Sequence, residues 1–376
     1  MRTLIQQAVL FDKQDPLHQK EIDLVIEDGQ ISSITPAQSE KFVVDRVIDG
    51  RGAFLSSGWV DIHTHLFTRV TDLGIDADVC GVHSGVTCCV DAGSAGADTI
   101  DQFQAQMVSK NTKVKALINL STRGLQDRHE LKDVRWINNT WTRQAIEKWS
   151  SFVVGIKLRA SQSVMGDQAS YAFQQAAVLR DATGLNLTVH VGNAPPPLET
   201  TLSYLKAGDI MTHTFNPKAN GILRNHQIAD FVLDAKKRGV LFDVGHGEAS
   251  FGLDVFEESL KFSFLPDFIS SDLHKYSIKT GAVSLANVLT KVFNLGMSLE
   301  DVIDMVTTRP RNHFRLQDIG GIEKGNLASL TLFKIEEKTV TLRDSTGAMR
   351  QGKEAIVPVA CMIGDQYFPV TQVLFE

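Results

Sequence analysis

Two histidines, His63 and His65, are separated by one residue at the end of the apolar segment GWVDIHTHL. If this segment is a β-strand, side-chain alternation places Asp61, His63 and His65 on one face, so that both imidazoles can point the same way. Imidazoles that converge in this manner can bind a metal ion, although such a pair also occurs by chance. A metal centre therefore requires support from other residues.

Further metal-capable residues end other predicted strands. His190 ends LTVH, His213 ends MTH and Asp272 ends ISSD. In a parallel barrel the carboxyl ends of the strands meet at one mouth, where the loops build the active site. Imidazole and carboxylate ligands suit Zn²⁺ well, and they leave Mn²⁺, Fe and Co open. The cluster predicted in this way comprises His63, His65, His190, His213 and Asp272.

Lys157 lies near the end of another predicted strand, FVVGIKLRA. A lysine at this place can extend its ammonium from the barrel rim into water. A charged ammonium among metal-bound histidines would instead repel the metal, so a ligand role requires another chemical state. Carboxylation of the amine by CO₂ gives a carbamate, whose two oxygens can bridge two cations.

The elements that must position these residues alternate between apolar strands and helical stretches. Eight strand candidates occur in the middle of the chain, and helical segments such as 168–184 separate most of them. This pattern over roughly 270 residues matches a (β/α)₈ TIM-like barrel. An open doubly wound sheet would carry G-x-G-x-x-G after its first strand, and the chain has no such motif. We therefore predict an α/β fold with a barrel over residues 56–319.

The two ends of the chain differ from the middle, because both consist of alternating strand patterns joined by turns. The patterns are TLIQQAVLF, KEIDLVIEDGQISSI and FVVDRVIDGRGAFL at the start, and SLTLFKIE, KTVTLRDS and EAIVPVACMIGDQYF at the end. Neither end has enough strands to bury a face alone. We therefore expect residues 1–55 and 320–376 to pair into one small β-sandwich domain.

Composition limits the class of protein. The 376 residues are 43% hydrophobic and 22% charged, as in globular proteins, with a formal net charge of −6. Lysines and arginines are scattered, so no basic patch for nucleic acid or for an anionic membrane is present. We therefore expect a small-molecule substrate, no nucleic-acid partner and no membrane partner, with outer helices that can support a homo-oligomer.

The cysteines and the apolar segments bear on the compartment. The four cysteines form no C-x-x-C pair, which favours buried thiols in a reducing environment. No apolar run approaches the about 18–20 residues that span a bilayer, and the first residues lack the apolar region and cleavage site of a signal peptide. We therefore expect a cytoplasmic protein.

The ordered set of GWVDIHTHL, Lys157, His190, His213 and Asp272, flanked by β-rich ends, resembles the amidohydrolase superfamily. Within it the chain resembles the binuclear-zinc, carboxylated-lysine branch, which contains dihydroorotases, hydantoinases and small-molecule deacetylases. The resemblance covers essentially the whole chain. It includes GGIEKGNLASLTLF, which is similar to the return from barrel to β domain in that family.

The resemblance implies two Zn²⁺ ions per chain, bridged by a CO₂-derived carbamate on Lys157 and by a hydroxide. The implied ligands are His63, His65 and Asp272 at the more buried ion, and His190 and His213 at the second ion. Two cations would lower the pKa of the bridging water towards neutrality, and the second would polarise the scissile carbonyl. Asp272 would take the proton from the attacking hydroxide and return it to the leaving group.

Two positions bear on the substrate. Arg159 follows Lys157 by two residues and faces the same side of the strand, where it can hold a carboxylate, stabilise an oxyanion or form a structural ion pair. Dihydroorotases of the family carry an arginine two residues after the second histidine of the pair, where this chain has Phe67. Adenine and guanine deaminases of the superfamily typically lack the carboxylated lysine. Phe67 and Lys157 therefore favour the deacetylases.

We predict a deacetylase that cleaves the acyl amide or ester bond of a small carboxylate-bearing molecule, such as an N-acetyl amino acid or an O-acetyl hydroxy acid. The catalytic residues would be Asp272 and Arg159. The alternatives are a cyclic amide hydrolase of the dihydroorotase or hydantoinase type, and a nucleobase (adenine) deaminase. A non-catalytic scaffold is disfavoured because every ligand position is filled. Substrate contacts are expected from Arg159, Asn193, Asn216, His246 and His274.

Overall fold

The computed structural model describes residues 1–372 and residue 375. Its first strands are β1 (Arg2–Leu10), β2 (Glu21–Glu27), β3 (Gln30–Pro36), β4 (Arg46–Asp49) and β5 (Phe54–Ser57). β2 pairs antiparallel with both β1 and β3, whereas β4 and β5 run parallel to β1. Asp28 and Gly29 join β2 to β3 with φ values of 49° and 79°, and two positive φ values in succession are what a tight hairpin turn requires.

The next strands form the barrel. They are β6 (Trp59–Thr64), β7 (Val86–Ala92), β8 (Lys113–Asn119), β9 (Val153–Ala160), β10 (Leu187–Val191), β11 (Ile210–Thr212), the hairpin of β12 (Leu223–Arg224) and β13 (Gln227–Ile228), and β14 (Leu241–Phe242). Apart from the hairpin, these strands form one parallel sheet in chain order, from β6 to β14. Each strand therefore presents its carboxyl end at the same rim.

The eighth strand candidate, DFISSDLH, closes the ring without forming a regular strand. Parallel bridges join Asp243 to Phe268 and Thr64 to Leu273, so this segment lies between β14 and β6. The backbone amide of His65 donates to the carbonyl of Leu273 at 2.9 Å. The predicted (β/α)₈ barrel is thereby confirmed.

Helices separate most of the barrel strands. They are α1 (Ala77–Cys80), α2 (Ile100–Met107), α3 (Asn139–Lys148), α4 (Gln162–Met165), α5 (Ala169–Thr183), α6 (Leu198–Ser203), α7 (Asp230–Lys237), α8 (Leu253–Lys261), α9 (Leu285–Asn294), α10 (Leu299–Asp304) and α11 (Thr308–His313). α5 ends before Gly184, whose φ of 69° and bond to the Arg180 carbonyl terminate the helix. Among the residues that the structure describes, no helix combines the length and the apolar character of a membrane crossing.

The chain returns to the first sheet through β15 (Ser329–Arg343), β16 (Met349–Ile363) and β17 (Gln366–Pro369). β15 pairs antiparallel with β5, which gives an eight-stranded sheet in the order β17-β16-β15-β5-β1-β2-β3, with β4 beside β1. This sheet has an apolar core of its own, to which both chain ends contribute. The prediction that the two ends form one β unit is confirmed, and the boundaries at residues 55 and 320 stay predictions.

A separate apolar cluster fills the amino-terminal end of the barrel. Phe314 lies in this cluster with Leu117 and Phe268, and it lies beside Gly155 near the start of β9. The four cysteines, all within the described residues, are buried and unpaired, as predicted. The amino-terminal end is therefore packed with apolar side chains, and the polar candidates lie at the opposite end.

Candidate metal centre

The predicted ligands converge on the carboxylate of Asp272 at the carboxyl end of the barrel. Its Oδ1 atom lies 3.2 Å from Nε2 of His65 and 3.4 Å from Nε2 of His63. Its Oδ2 atom lies 3.9 Å from Nε2 of His213. Ligand atoms at about 2.1 Å from a tetrahedral zinc ion are about 3.4 Å apart, so these spacings suit atoms that share a cation.

Lys157 and His190 complete the cluster. Nζ of Lys157 lies 3.0 Å from Nε2 of His63, and the lysine side chain is 1% exposed. The ring of His190 lies 4.5 Å from the ring of His213, with the two planes at 84°. The structure therefore brings all the predicted ligand residues together, and their role as ligands stays a prediction.

A relay of hydrogen bonds orients His63. The hydroxyl of Thr212 donates to Oδ2 of Asp243 at 2.6 Å, and the hydroxyl of Ser270 donates to the same oxygen at 2.7 Å. Since the single hydroxyl proton of Thr212 is used in this way, its oxygen accepts from Nδ1 of His63 at 2.9 Å. Nε2 of His63 consequently keeps a lone pair directed at the cluster, as a metal ligand requires.

The other histidines are held by equivalent contacts. Nδ1 of His213 lies 2.6 Å from the carbonyl of Gly245, which can only accept, so this nitrogen carries the proton. Nδ1 of His65 lies 3.0 Å from the hydroxyl of Ser94, and the Ser94 amide donates to Asp91 at 2.7 Å. A backbone carbonyl behind His213 and a serine hydroxyl behind His65 thus orient the two rings from outside the cluster.

Burial sets the protonation states. It lowers the pKa of His63 and His190 well below the ordinary value and that of His213 to about 4, so these imidazoles are neutral. It also lowers the pKa of Lys157 to about 8. Burial opposes ionisation of Asp272, but a hydrogen bond from His65 stabilises the carboxylate, and the pKa of that carboxyl lies well below its usual range. The cluster therefore presents neutral imidazoles at His63, His190 and His213, together with one carboxylate.

The backbone is unusual at two of the predicted ligand positions. His213 has a φ of 64° and Asp272 a φ of 51°, in the left-handed region that non-glycine residues seldom adopt. Gly247 lies opposite Asp272, and a Cβ atom there would be 2.5 Å from Oδ2 of Asp272. Such conformations persist only where the surrounding contacts impose them, which is common at functional sites.

Arg159 and His246 have partners within the protein. Nη1 of Arg159 bonds both carboxylate oxygens of Glu130, at 3.2 and 3.1 Å, and the Glu130 side chain is 0% exposed. Nε2 of His246 lies 3.0 Å from Nζ of Lys291, and its Nδ1 lies 2.8 Å from the carbonyl of Gly247. The ion pair considered for Arg159 is thus present, and the substrate roles of both residues stay predictions.

The remaining predicted substrate residues differ in exposure. Asn216 is buried, and its amide nitrogen donates to the carbonyl of His213 at 2.7 Å. Asn193 is exposed, and its carbonyl accepts from the Gln162 amide at 3.1 Å. The ring of His274 lies 6.3 Å from the ring of His65. His274 therefore lies beside His65, one of the predicted ligands, and the three substrate roles stay predictions.

Several residues that shape the centre were not predicted from the sequence. The roles of Asp91 and Asp243 could have been inferred from the sequence, because each is an acidic residue within an apolar segment, GVTCCVDAG or GVLFDVGHG. Such a carboxylate needs a buried polar partner. Glu130 gave no comparable signal, because it lies in the polar sequence DRHELKD, and the pattern there does not reveal that it is buried.

Comparisons of sequence and of structure with known proteins agree on the family of this chain. Residues 322–368 match the sequence profile of a deacetylase-like composite domain. The chain is 35% identical to a deacetylase of Enterococcus faecalis, over 92% of this chain and 99% of that protein. It resembles the crystal structure of an adenine deaminase with a TM-score of 0.92, at 32% identity over 98% of this chain and 99% of that one. It resembles the crystal structure of a dihydroorotase with a TM-score of 0.91, at 28% identity over 100% of this chain and 99% of that one.

Proposed function

Since the chain belongs to the deacetylase group of the amidohydrolase superfamily, we propose that it is a metal-dependent hydrolase that deacylates a small carboxylate-bearing molecule. N-acetyl amino acids and O-acetyl hydroxy acids are the substrates in this proposal. The observation that carries it is the convergence of His63, His213 and Asp272, whose ligand atoms all lie within 4.8 Å of one another. Neutral imidazoles with a carboxylate suit a hydrolytic metal centre.

Two zinc ions and a carbamate on Lys157 complete the proposed centre. The fully buried Lys157 amine lies beside the imidazole of His63, and its lowered pKa gives it a larger fraction of the neutral form, which reacts with CO₂, than an ordinary lysine has. A carbamate there would add the negative charge that two cations need. When bound, the ions would supply an activated water and would polarise the acyl carbonyl.

Asp272 moves the proton in this proposal. Its low pKa keeps it ionised at neutral pH, so its carboxylate can accept a proton and then pass it to the leaving amine or alkoxide. Its side chain is 13% exposed, against 2% for His63 and 7% for His65, so it faces the cleft more openly than these histidines. The hydroxyl of Ser277 donates to the backbone carbonyl of Asp272 at 2.9 Å, which helps to hold the carboxylate in place for both transfers.

Adenine deamination is the second candidate, because a protein whose solved structure is described as an adenine deaminase is 32% identical to this chain. The two reactions release different products, acetate and ammonia. A cytoplasmic location is part of the proposal and is supported by the buried, unpaired cysteines.

The test combines metal content with product release. The protein is purified without chelator and with bicarbonate, its zinc is measured by elemental analysis, and it is incubated with acetylated acids and with adenine. We expect about two zinc ions per chain, acetate from the acids and no ammonia from adenine. The Asp272→Asn variant, which keeps the neighbouring imidazoles, should retain at least one ion and release no acetate. Ammonia from adenine without acetate from any acid would replace the proposal with deamination.

A further inference from the structure

Lys218 lies in the loop after β11, near the ligand His213. Its side chain is half-buried, and its backbone amide donates to Oδ1 of Asn216 at 3.1 Å. Within residues 1–372 and 375, its ammonium has no hydrogen-bond or ion-pair partner. A half-buried cation without a direct ion-pair partner is costly, so this ammonium requires an explanation.

The loop that carries Lys218 is anchored on both sides. Before the lysine, the side-chain amide of Asn216 donates to the backbone carbonyl of His213 at 2.7 Å. After the lysine, the side-chain amide of Asn220 donates to the backbone carbonyls of Gly192 and Pro196 at 3.0 and 3.1 Å. Both anchors lie in segments that follow the ligand histidines, so the backbone of Lys218 is fixed relative to the centre.

The charge of Lys218 acts on residues of the predicted metal centre. It interacts electrostatically with Asp272, and its positive charge also acts on His190 and His213. Burial lowers the pKa of Lys218, and Asp272 partly opposes this. A substrate bound at the centre would therefore meet this cation at the rim.

Arg159 is another cation at this rim, and its charge is already balanced. Its guanidinium pairs with the buried carboxylate of Glu130, which would be left without a counter-ion if Arg159 turned to a ligand. We propose that Lys218, rather than Arg159, binds the carboxylate of the substrate and selects acylated acids over neutral acyl compounds. This inference deepens the proposed function and rests on it for the nature of the acyl substrate.

A matched pair of substrates tests the role of Lys218. An N-acetyl amino acid and its carboxamide share the scissile bond and differ in the negative charge. We expect Lys218→Met to raise KM for the acid about 10- to 100-fold, the loss typical of one charged hydrogen bond, with kcat nearly unchanged. KM for the carboxamide should stay as in the wild type, and Lys218→Arg should restore part of the preference. The control is Lys237→Met, because Lys237 is 77% exposed and pairs with Asp234 in α7.

Binding without turnover separates this inference from the proposed function. In Asp272→Asn protein, calorimetry measures binding of the same acid and carboxamide, with and without Lys218→Met. Weaker binding of the acid alone supports the carboxylate site, even if the wild type releases no acetate and the proposed function fails. Acetate release by the wild type with an unchanged acid-to-carboxamide ratio in Lys218→Met overturns the site and leaves the function standing. An equal loss on both compounds also overturns it.

Discussion

Nζ of Lys157 lies 3.0 Å from Nε2 of His63, although neither side chain is open to solvent. Gly93 makes this approach feasible, because a Cβ atom there would lie 2.6 Å from Cβ and Cγ of Lys157. Its φ of 83° also suits glycine. The amine is therefore enclosed on the ligand side of the barrel, where an ammonium would compete with a cation.

Lys157→Ala should lose most of the bound metal and nearly all activity, because the proposed carbamate supplies the bridging charge. Bicarbonate with a short-chain acid should restore part of the activity by placing a free carboxylate where the carbamate stood. Elemental analysis and acetate release measure the two effects. Full metal content with full activity in the variant would remove the bridging role from Lys157.

The relay behind His63 gives a second prediction. Thr212→Val keeps the shape of the side chain and removes the hydroxyl that links Nδ1 of His63 to Asp243. Metal affinity should fall about 10- to 100-fold, as for the loss of other groups that orient ligands. Competition with a chelator measures the affinity.

The matched control is Thr214→Val, two residues further along the chain. The Thr214 hydroxyl donates to the carbonyl of Met211 at 3.1 Å and does not contact a ligand ring. This variant should lose some stability and keep its metal affinity. Equal metal affinity in both variants would show that the relay does not orient His63.

Gly247 gives a third prediction. Both its positive φ and the lack of room for a Cβ atom require glycine at this position. Its φ is 56°, and a Cβ atom would meet the Asp272 carboxylate. Gly247→Ala should therefore displace that carboxylate and reduce kcat by at least about 10-fold, as expected when a reacting group moves by a fraction of an ångström. Gly184→Ala is the control, because Gly184 has a φ of 69° and open space around it. It should cost about 1–2 kcal/mol of stability and leave kcat unchanged. Equal kcat values in the two variants would contradict the role given to Gly247.

The convergence of the candidate ligands could be predicted because each lies near the end of a predicted strand, and strand ends in a barrel share one rim. The positions of His190 and His213 at strand ends predict that they lie together, as the structure shows. The partner of Arg159 could not be predicted, since Glu130 comes from another loop and no local pattern links the two. Lys218 was missed for the same reason, because an unpaired ammonium is recognised only when its surroundings are known.

The strands at the chain ends show a different limit of prediction from the sequence. Two of the predicted segments, SLTLFKIE and KTVTLRDS, belong to the single strand β15, whose pairing with β16 shifts register between Glu337 and Val340. The sequence pattern changes at that irregularity, and it therefore resembles a turn between two strands. The eighth barrel segment was predicted as a strand, yet it forms isolated bridges. Ser270 and Ser271 there bond with their side chains to Asp243 and Asp61 of the neighbouring strands.

His313, at the amino-terminal end of the barrel, should make stability depend on pH. Its ring packs 5.3 Å from Phe268 and 4.7 Å from Phe314, and burial lowers its pKa to about 4. The unfolded chain has the ordinary histidine pKa of about 6.5, so below that pH the unfolded state binds the proton more tightly than the folded state. The free energy of unfolding should therefore be undiminished above pH 6.5 and fall as the pH drops towards 4, by up to about 3 kcal/mol from this residue.

His313→Gln removes this titration, whereas the histidines of the metal centre remain in both proteins and cancel in the comparison. Urea unfolding of wild type and variant between pH 7.5 and 4.5 measures the difference. The variant should be less stable at pH 7.5, because it loses apolar contacts of the ring. Its stability should then fall less steeply below pH 6.5, by up to about 1.4 kcal/mol per pH unit. Parallel curves for the two proteins would mean that His313 takes up its proton equally readily in the folded and unfolded states.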